Sequence, residues 1–323
     1  MNERVWFAKR FAYWQKLEAL LKQKRLDRLP EKDLRWLLRS YPYHLSDTVR
    51  SRSYPGLSHL APYLGQLLYR LHTRLYTRPP ARLADILTHV WVTFPRCVRR
   101  NLGLILLAAC ILFAGVFLAM WTVHQDPETA AYFMPQQVID QLAEGKLWMD
   151  GESGAPHQSA FLLTNNIKVA IMAFAFGVFF ALGTLLLLFY NGLQALGGPL
   201  QLAMEYGIGH RLLAFILPHG VIELSCIFFA GAAGMKIGFS LLFPGDRHRW
   251  DAARRAVPDA MTLITGCIPL LIVAGCIEGM ISLNQAIGLL PRLLIALASI
   301  LFLLVYLGLG GRSSARSSSS KIS

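Results

Sequence analysis

Residues 102–123 read LGLILLAACILFAGVFLAMWTV, 22 positions without a formal charge. Wound as helix at about 1.5 Å per residue they extend about 33 Å, which suits a hydrocarbon core of about 30 Å. This stretch reads as a membrane span, and its flanks differ sharply in charge. Upstream, an amphipathic pattern from Ala81 ends in Arg96, Arg99 and Arg100. Downstream, His124 to Ala160 carries Asp126, Glu128, Asp140, Glu144, Asp150 and Glu152 against Lys146 alone. Counting Lys and Arg, as the positive-inside rule does, puts the Arg-rich side in the cytoplasm and the acidic loop outside.

The same contrast runs through the whole chain. Of 323 residues 54% are hydrophobic and 16% charged, mean hydropathy is +0.42, and the net charge is +13. Residues 1–101 hold 20 Lys and Arg against 7 Asp and Glu, so the entire surplus sits there, while residues 102–323 balance at 12 against 12. A disulfide scaffold, a collagen-like fibre and a fully disordered chain are excluded. Cys97, Cys110, Cys226, Cys267 and Cys276 form no C-x-x-C pair and read as small buried residues. Trp6, Phe7, Phe11 and Trp14 are interrupted by basic residues, so no signal-peptide core is expected at the start.

Three parts are therefore expected: a basic cytoplasmic helical arm over 1–101, a transmembrane helical bundle over 102–311 with an acidic external loop at 124–160, and a serine-rich disordered tail over 312–323. In the arm, Phe7, Phe11, Trp14, Leu17 and Leu21 make one helical stripe, to be packed in a small bundle or laid on anionic lipid. A second helix starts at Pro30 to Asp33 and is expected to end near Tyr41 and Pro42; a third covers Leu60 to Tyr76, and Arg78-Pro79-Pro80 is a break. In the loop, Met134, Val138, Leu142 and Leu147 to Met149 predict a short helix on the outer membrane surface.

Ile167 to Tyr190 reads as the second span. Arg211 to Leu242, with Pro218-His219-Gly220 inside it, reads as too long and too interrupted for one simple crossing; Pro258 to Leu283 and Arg292 to Leu309 are two more spans. Hydropathy alone counts five crossings, which puts the basic loop at Arg247 to Arg255 and the tail outside, against positive-inside. An extra crossing or re-entrant segment between Gln194 and Pro218 returns both to the cytoplasm. The expected fold is all-α: a polytopic helical membrane protein of five to six passes, one broken or re-entrant, in the bacterial inner membrane with both termini cytoplasmic.

An ionisable residue at membrane depth is costly and so marks a candidate site. Glu205, Glu223 and Glu278 qualify, and His219 stands four residues before Glu223 on one helix face, with Gly220 beside it. The pair could fix packing, relay a proton or bind a cation. A metal site would need Glu278, Glu205 or His210 to complete the ligands, and no H-E-x-x-H helix exists. Gly231, Gly234 and Gly238 read as helix-contact positions. P-loop, G-x-G-x-x-G and G-x-S-x-G patterns are missing, so no catalytic residue, cofactor or metal is expected, and the arm's charge points to lipid more than to nucleic acid.

Leu217-Pro218-His219-Gly220-Val221-Ile222-Glu223, followed by Ala230 through Gly238, resembles the hallmark of the stage II sporulation protein M family of bacterial membrane proteins. Asn165-Asn166-Ile167-Lys168-Val169-Ala170 with Phe176-Gly177 and Asn191-Gly192-Leu193 resembles its second-span pattern, Ile277-Glu278-Gly279 its late-span glutamate, and Phe11-x-x-Trp14-x-x-Leu17-Glu18 its arm. The resemblance implies a multi-pass inner-membrane protein without established enzymatic activity, a scaffold or assembly protein recruiting cell-envelope partners and, in relatives outside spore formers, a neighbour of MoxR-type ATPases. It leaves His219, Glu223 and Glu278 as motif residues of unassigned role. Two rival functions remain: a transporter or channel for protons, ions or a small solute using His219 and Glu223, and an intramembrane metal-dependent hydrolase.

Overall fold

The computed structural model of the chain describes residues 3–23, 29–76, 82–147, 150, 155–284 and 286–312. The break at Arg78-Pro79-Pro80 and the serine-rich tail beyond Arg312 lie outside them. Helices carry the fold, and no strand occurs among the described residues. The chain divides into two compact units, Met1–Ala81 and Arg82–Ser323. Residues 82–100, counted with the arm on charge, thus belong to the second unit, because Phe94, Cys97 and Val98 are buried in its core.

The first unit is a three-helix bundle: α1 (Glu3–Lys22), α2 (Glu31–Ser53) and, after a 3-10 turn at Pro55–Leu60, α3 (Ala61–Tyr76). The stripe seen in α1 is its core face, with Trp14 and Leu17 closed off against Leu37, Leu64 and Leu71. The second helix does not stop at Pro42 but runs eleven residues further to Ser53. Proline removes one helical hydrogen bond, and the loss is offset by burial beyond it. Asp47 there accepts from Arg10 Nε and Nη2 at 3.0 and 2.9 Å and from Trp14 Nε1 at 2.9 Å. His44 Nε2 bonds to the Leu64 carbonyl at 3.1 Å.

The second unit opens with α4 (Leu83–Thr88), a π turn (His89–Thr93) and α5 (Phe94–Arg100), followed by α6 (Leu102–Gln125). A short α7 (Gln136–Ala143) lies in the acidic loop. Then come α8 (Ala155–Ala175), α9 (Leu182–Asn191), a π turn (Gly192–Gly197), α10 (Gly198–Glu205), α11 (Gly209–Leu242), α12 (Arg249–Ile277), a π turn (Glu278–Ser282) and α13 (Leu289–Leu309). Among the described residues four stretches, 102–125, 209–242, 249–282 and 289–309, are single helices long and apolar enough to cross a membrane, and Thr164–Val178 is a shorter apolar one.

Two spans differ from the sequence reading. Ile167 to Tyr190 is not one rod: the chain reverses at Phe180 and Ala181, whose φ angles of 54° and 68° are left-handed. The result is a helical hairpin, with 155–178 descending and 182–205 returning beside α6. The extra leg is therefore 182–205, which overlaps the expected stretch from Gln194 onward but starts twelve residues earlier and ends at Glu205. Conversely, Arg211 to Leu242 is neither too long nor too interrupted, because α11 runs unbroken for 34 residues through Pro218 and Gly220. Neighbours on all sides hold it: α11 packs against α6, α8, α12 and α13.

Contacts give the direction of each leg. Gly192 packs on Leu112, Gly197 on Val116 and Glu205 on His124, so 182–205 runs parallel to α6. Gly177 packs on Gly234, and Ala181 on Gly238, so α8 runs parallel to α11. Cys226 meets Cys267 and Lys236 meets Asp259 across the antiparallel α11 and α12. Six legs alternate, and the end of α13 returns beside the start of α6, where Arg99 donates to the carbonyls of Leu307 and Gly310. Lipid supplies no hydrophobic drive between helices, so such bundles hold by close backbone approach. A Cβ on Gly234 would stand 2.3 Å from the Ala173 carbonyl oxygen, and one on Gly238 2.1 Å from Ala181 N. Gly231 is looser, facing Leu188 and Ala108.

Candidate functional site

Three of the four ionisable residues singled out in the sequence meet inside the second unit. Pro218 and Gly220 flank His219 without breaking α11, so His219 and Glu223 lie one turn apart on the same face, both buried. Across from them, the π turn Glu278–Ser282 ends α12. Its wider turn keeps both Glu278 and Ser282 buried, and such π segments recur at functional sites.

His219 Nδ1 shares a 2.8 Å hydrogen bond with Ser282 Oγ, and His219 Nε2 stands 3.8 Å from Glu223 Oε2. Phe215 closes the imidazole edge-on at 5.2 Å. Asn166, from α8, donates to the Glu223 carboxylate. Glu278 is 0% exposed and close enough to Glu223 for the two to act on each other electrostatically. Glu223 Oε1 and both Glu278 oxygens have no hydrogen-bond partner among the described residues. Buried polar atoms are nearly always paired, so three unpaired carboxylate oxygens in one place are unusual.

A cavity of about 320 Å³ leads to this cluster from the acidic-loop end. Ser282 and Phe215 form its floor, with His210, Arg211, Asp150 and Arg292 around it. Arg211 is paired with Asp150 at 3.0 Å, and Arg292 is spent on the carbonyls of Asn284 and Ile287. Toward the other end, Cys226, Phe229, Leu263 and Cys267 pack with Phe94 and close the bundle. The arrangement is a dead-end vestibule whose polar chain runs Ser282, His219, Glu223, Asn166.

Glu205 does not join. It lies at the mouth of the bundle, bonded to His124 Nδ1 at 3.0 Å and Gln201 Nε2 at 2.7 Å. Among the described residues no group of three or more His, Cys, Asp and Glu side chains comes together as a metal site. Sequence reasoning missed Ser282 and quoted Asn166 only as part of a pattern. Ser282 had a signal, being the polar residue one turn beyond Glu278.

Comparison with known proteins places the chain in a family. Within Methanocaldococcus jannaschii, an uncharacterized protein is 32% identical over 120 residues, covering 36% of this chain and 66% of that protein. No solved structure matches the chain. Residues 108–283 match the family described as Stage II sporulation protein M. That match takes in more than half of the chain and every member of the buried cluster, and so this membrane protein belongs to the Stage II sporulation protein M family.

Proposed function

We propose that the protein is a transporter or channel that takes up a proton or a small cation at Glu223 and Glu278. The observation that carries the reading is Glu278, fully buried beside a second carboxylate with neither oxygen bonded to a described residue. An uncompensated buried charge costs several kcal/mol, so these oxygens call for a proton or a cation. The vestibule supplies the approach: the imidazole of His219, held by Ser282 on one nitrogen, can take a proton there and release one toward Glu223 from the other. The packed wall around Phe94 means that passage through the bundle requires a second conformation, with the π turn at Glu278 and the proline at Pro218 as its natural hinges.

Purified protein in liposomes tests this. The wild type should dissipate an imposed proton or alkali-cation gradient faster than empty vesicles, with Glu278→Gln reduced to background. Folded wild-type protein with no flux above empty vesicles would refute the reading.

A second reading, recruitment of envelope partners, draws on the separate first unit. That unit has its own core, a basic surplus and exposed aromatic residues such as Tyr43, Tyr69 and Tyr76. In this reading the first unit faces the cytoplasm of a bacterial inner membrane, meets anionic lipid, and docks envelope proteins or the MoxR-type ATPase that the family resemblance names. Loss of a reproducible ATPase or envelope partner on removing residues 1–81 supports it; identical capture with and without them counts against it.

A further inference from the structure

The opposite side of α8 carries a second polar feature. There, α7, α8, α9 and the π turn Gly192–Gly197 enclose a groove of about 420 Å³, within the usual range for ligand sites. Lys168 lines it together with the amides of Asn165, Asn191 and Gln194 and the phenol of Tyr190. No acidic residue lines the groove, and Lys168 makes no hydrogen bond or ion pair with another described residue. Behind the groove, Gly192, next to Asn191, packs on Leu112 near the middle of α6.

Lys168 is exposed on the groove wall, and a lysine beside an apolar helix face with no acidic residue lining the groove suits an anionic headgroup. Other cations of the unit named above have partners within it. Lys236 meets Asp259 and Asn101, Arg211 meets Asp150, and Arg99 caps α13. The remaining groove surface is apolar, with Val138 at the α7 edge and Met172 and Leu187 deeper in. One positive centre among amide donors, with an apolar trough leading from it, matches one kind of ligand.

We infer that this groove binds a single anionic membrane lipid, its phosphate held by Lys168 and the neighbouring amides and an acyl chain lying along Val138 and Leu187. The site is separate from the basic arm and does not depend on the cation reading above. Asn165 and Asn166 sit side by side in α8, one lining the lipid groove and the other bonded to Glu223, so the helix has an anion site on one face and the carboxylates on the other.

The test uses full-length protein in vesicles with equal phosphatidylglycerol and phosphatidylcholine, extracted gently and weighed by native mass spectrometry. The wild type should retain one phosphatidylglycerol preferentially. Lys168→Gln should lower that occupancy about ten-fold, the scale of a lost charge-assisted bond, and Lys168→Arg should keep it. Val138→Trp, which fills the trough and leaves the charge, should lose it too. Equal retention of phosphatidylcholine, or wild-type retention by both Lys168→Gln and Val138→Trp, would overturn the inference. Displacement of the lipid by millimolar inorganic phosphate would overturn it as well, since the site would then take the free anion.

Discussion

Gly238→Ala adds one methyl at the point where α11 passes the hairpin tip. The new Cβ would stand 2.1 Å from Ala181 N, 2.5 Å from Ala181 Cα and 2.6 Å from the Gly177 carbonyl oxygen. Unstrained contacts of this kind lie near about 3.5 Å, so the tip must retreat by more than about 1 Å. All three atoms are backbone, and Ala181 already sits in a left-handed conformation, so no rotamer change relieves the contact. Overpacking costs about 1–3 kcal/mol, and a rigid backbone neighbour places this case at the upper end, about 2–3 kcal/mol. The helix propensity gained on replacing glycine is at most about 1 kcal/mol, and less where the unfolded state in detergent stays helical. Gly103→Ala is the control, a helical glycine with nothing within 4 Å of the added carbon, expected within about 0.5 kcal/mol of wild type. Equilibrium unfolding of the full chain in mixed micelles measures both. Equal stability of Gly238→Ala and Gly103→Ala would refute the close helix approach and the reversal at Ala181 with it.

Three further outcomes follow from other sites. Burial holds His44 below its ordinary value of 6.5, so the native state prefers the neutral ring. Its stability contribution is complete above pH 6.5 and declines as pH falls toward the lower folded value; hydrogen exchange across α2 and α3, corrected for intrinsic rates, should quicken from pH 7.5 to 5.5, and His44→Gln should flatten that trend. Asp47→Ala strands the Arg10 guanidinium and Trp14 Nε1, and should destabilise the first unit by about 2–4 kcal/mol, read as accelerated exchange in α1 and α2 with α11 unaffected. Thr184→Val removes the buried 2.7 Å bond to the Ala173 carbonyl inside the hairpin and should cost about 0.5–1.5 kcal/mol in the same micelle assay, less than Gly238→Ala.

The chain's own residues settled a good deal about this protein. An uncharged run of 22 residues, a charge surplus confined to the first 101, and acidic residues on the far flank were enough for an all-helical membrane protein with a basic arm. Intramembrane His219, Glu223 and Glu278 were visible because polar residues in an apolar background stand out one by one. The path of the chain was not visible in the same way. Phe179 to Leu182 turn the backbone with no glycine or proline among them, because the reversal is held by Gly234 and Gly238 of α11 packing on Gly177 and Ala181, and not by local preference. Pro42 and Pro218 were legible as breaks and are not, since burial on either side outweighs one lost hydrogen bond. Only tertiary structure could bring Glu278 to Glu223, leave Glu205 with His124, and open a groove onto Lys168. Hydropathy sums over neighbours in sequence, whereas a site is made by residues on separate helices whose register depends on where backbones can touch.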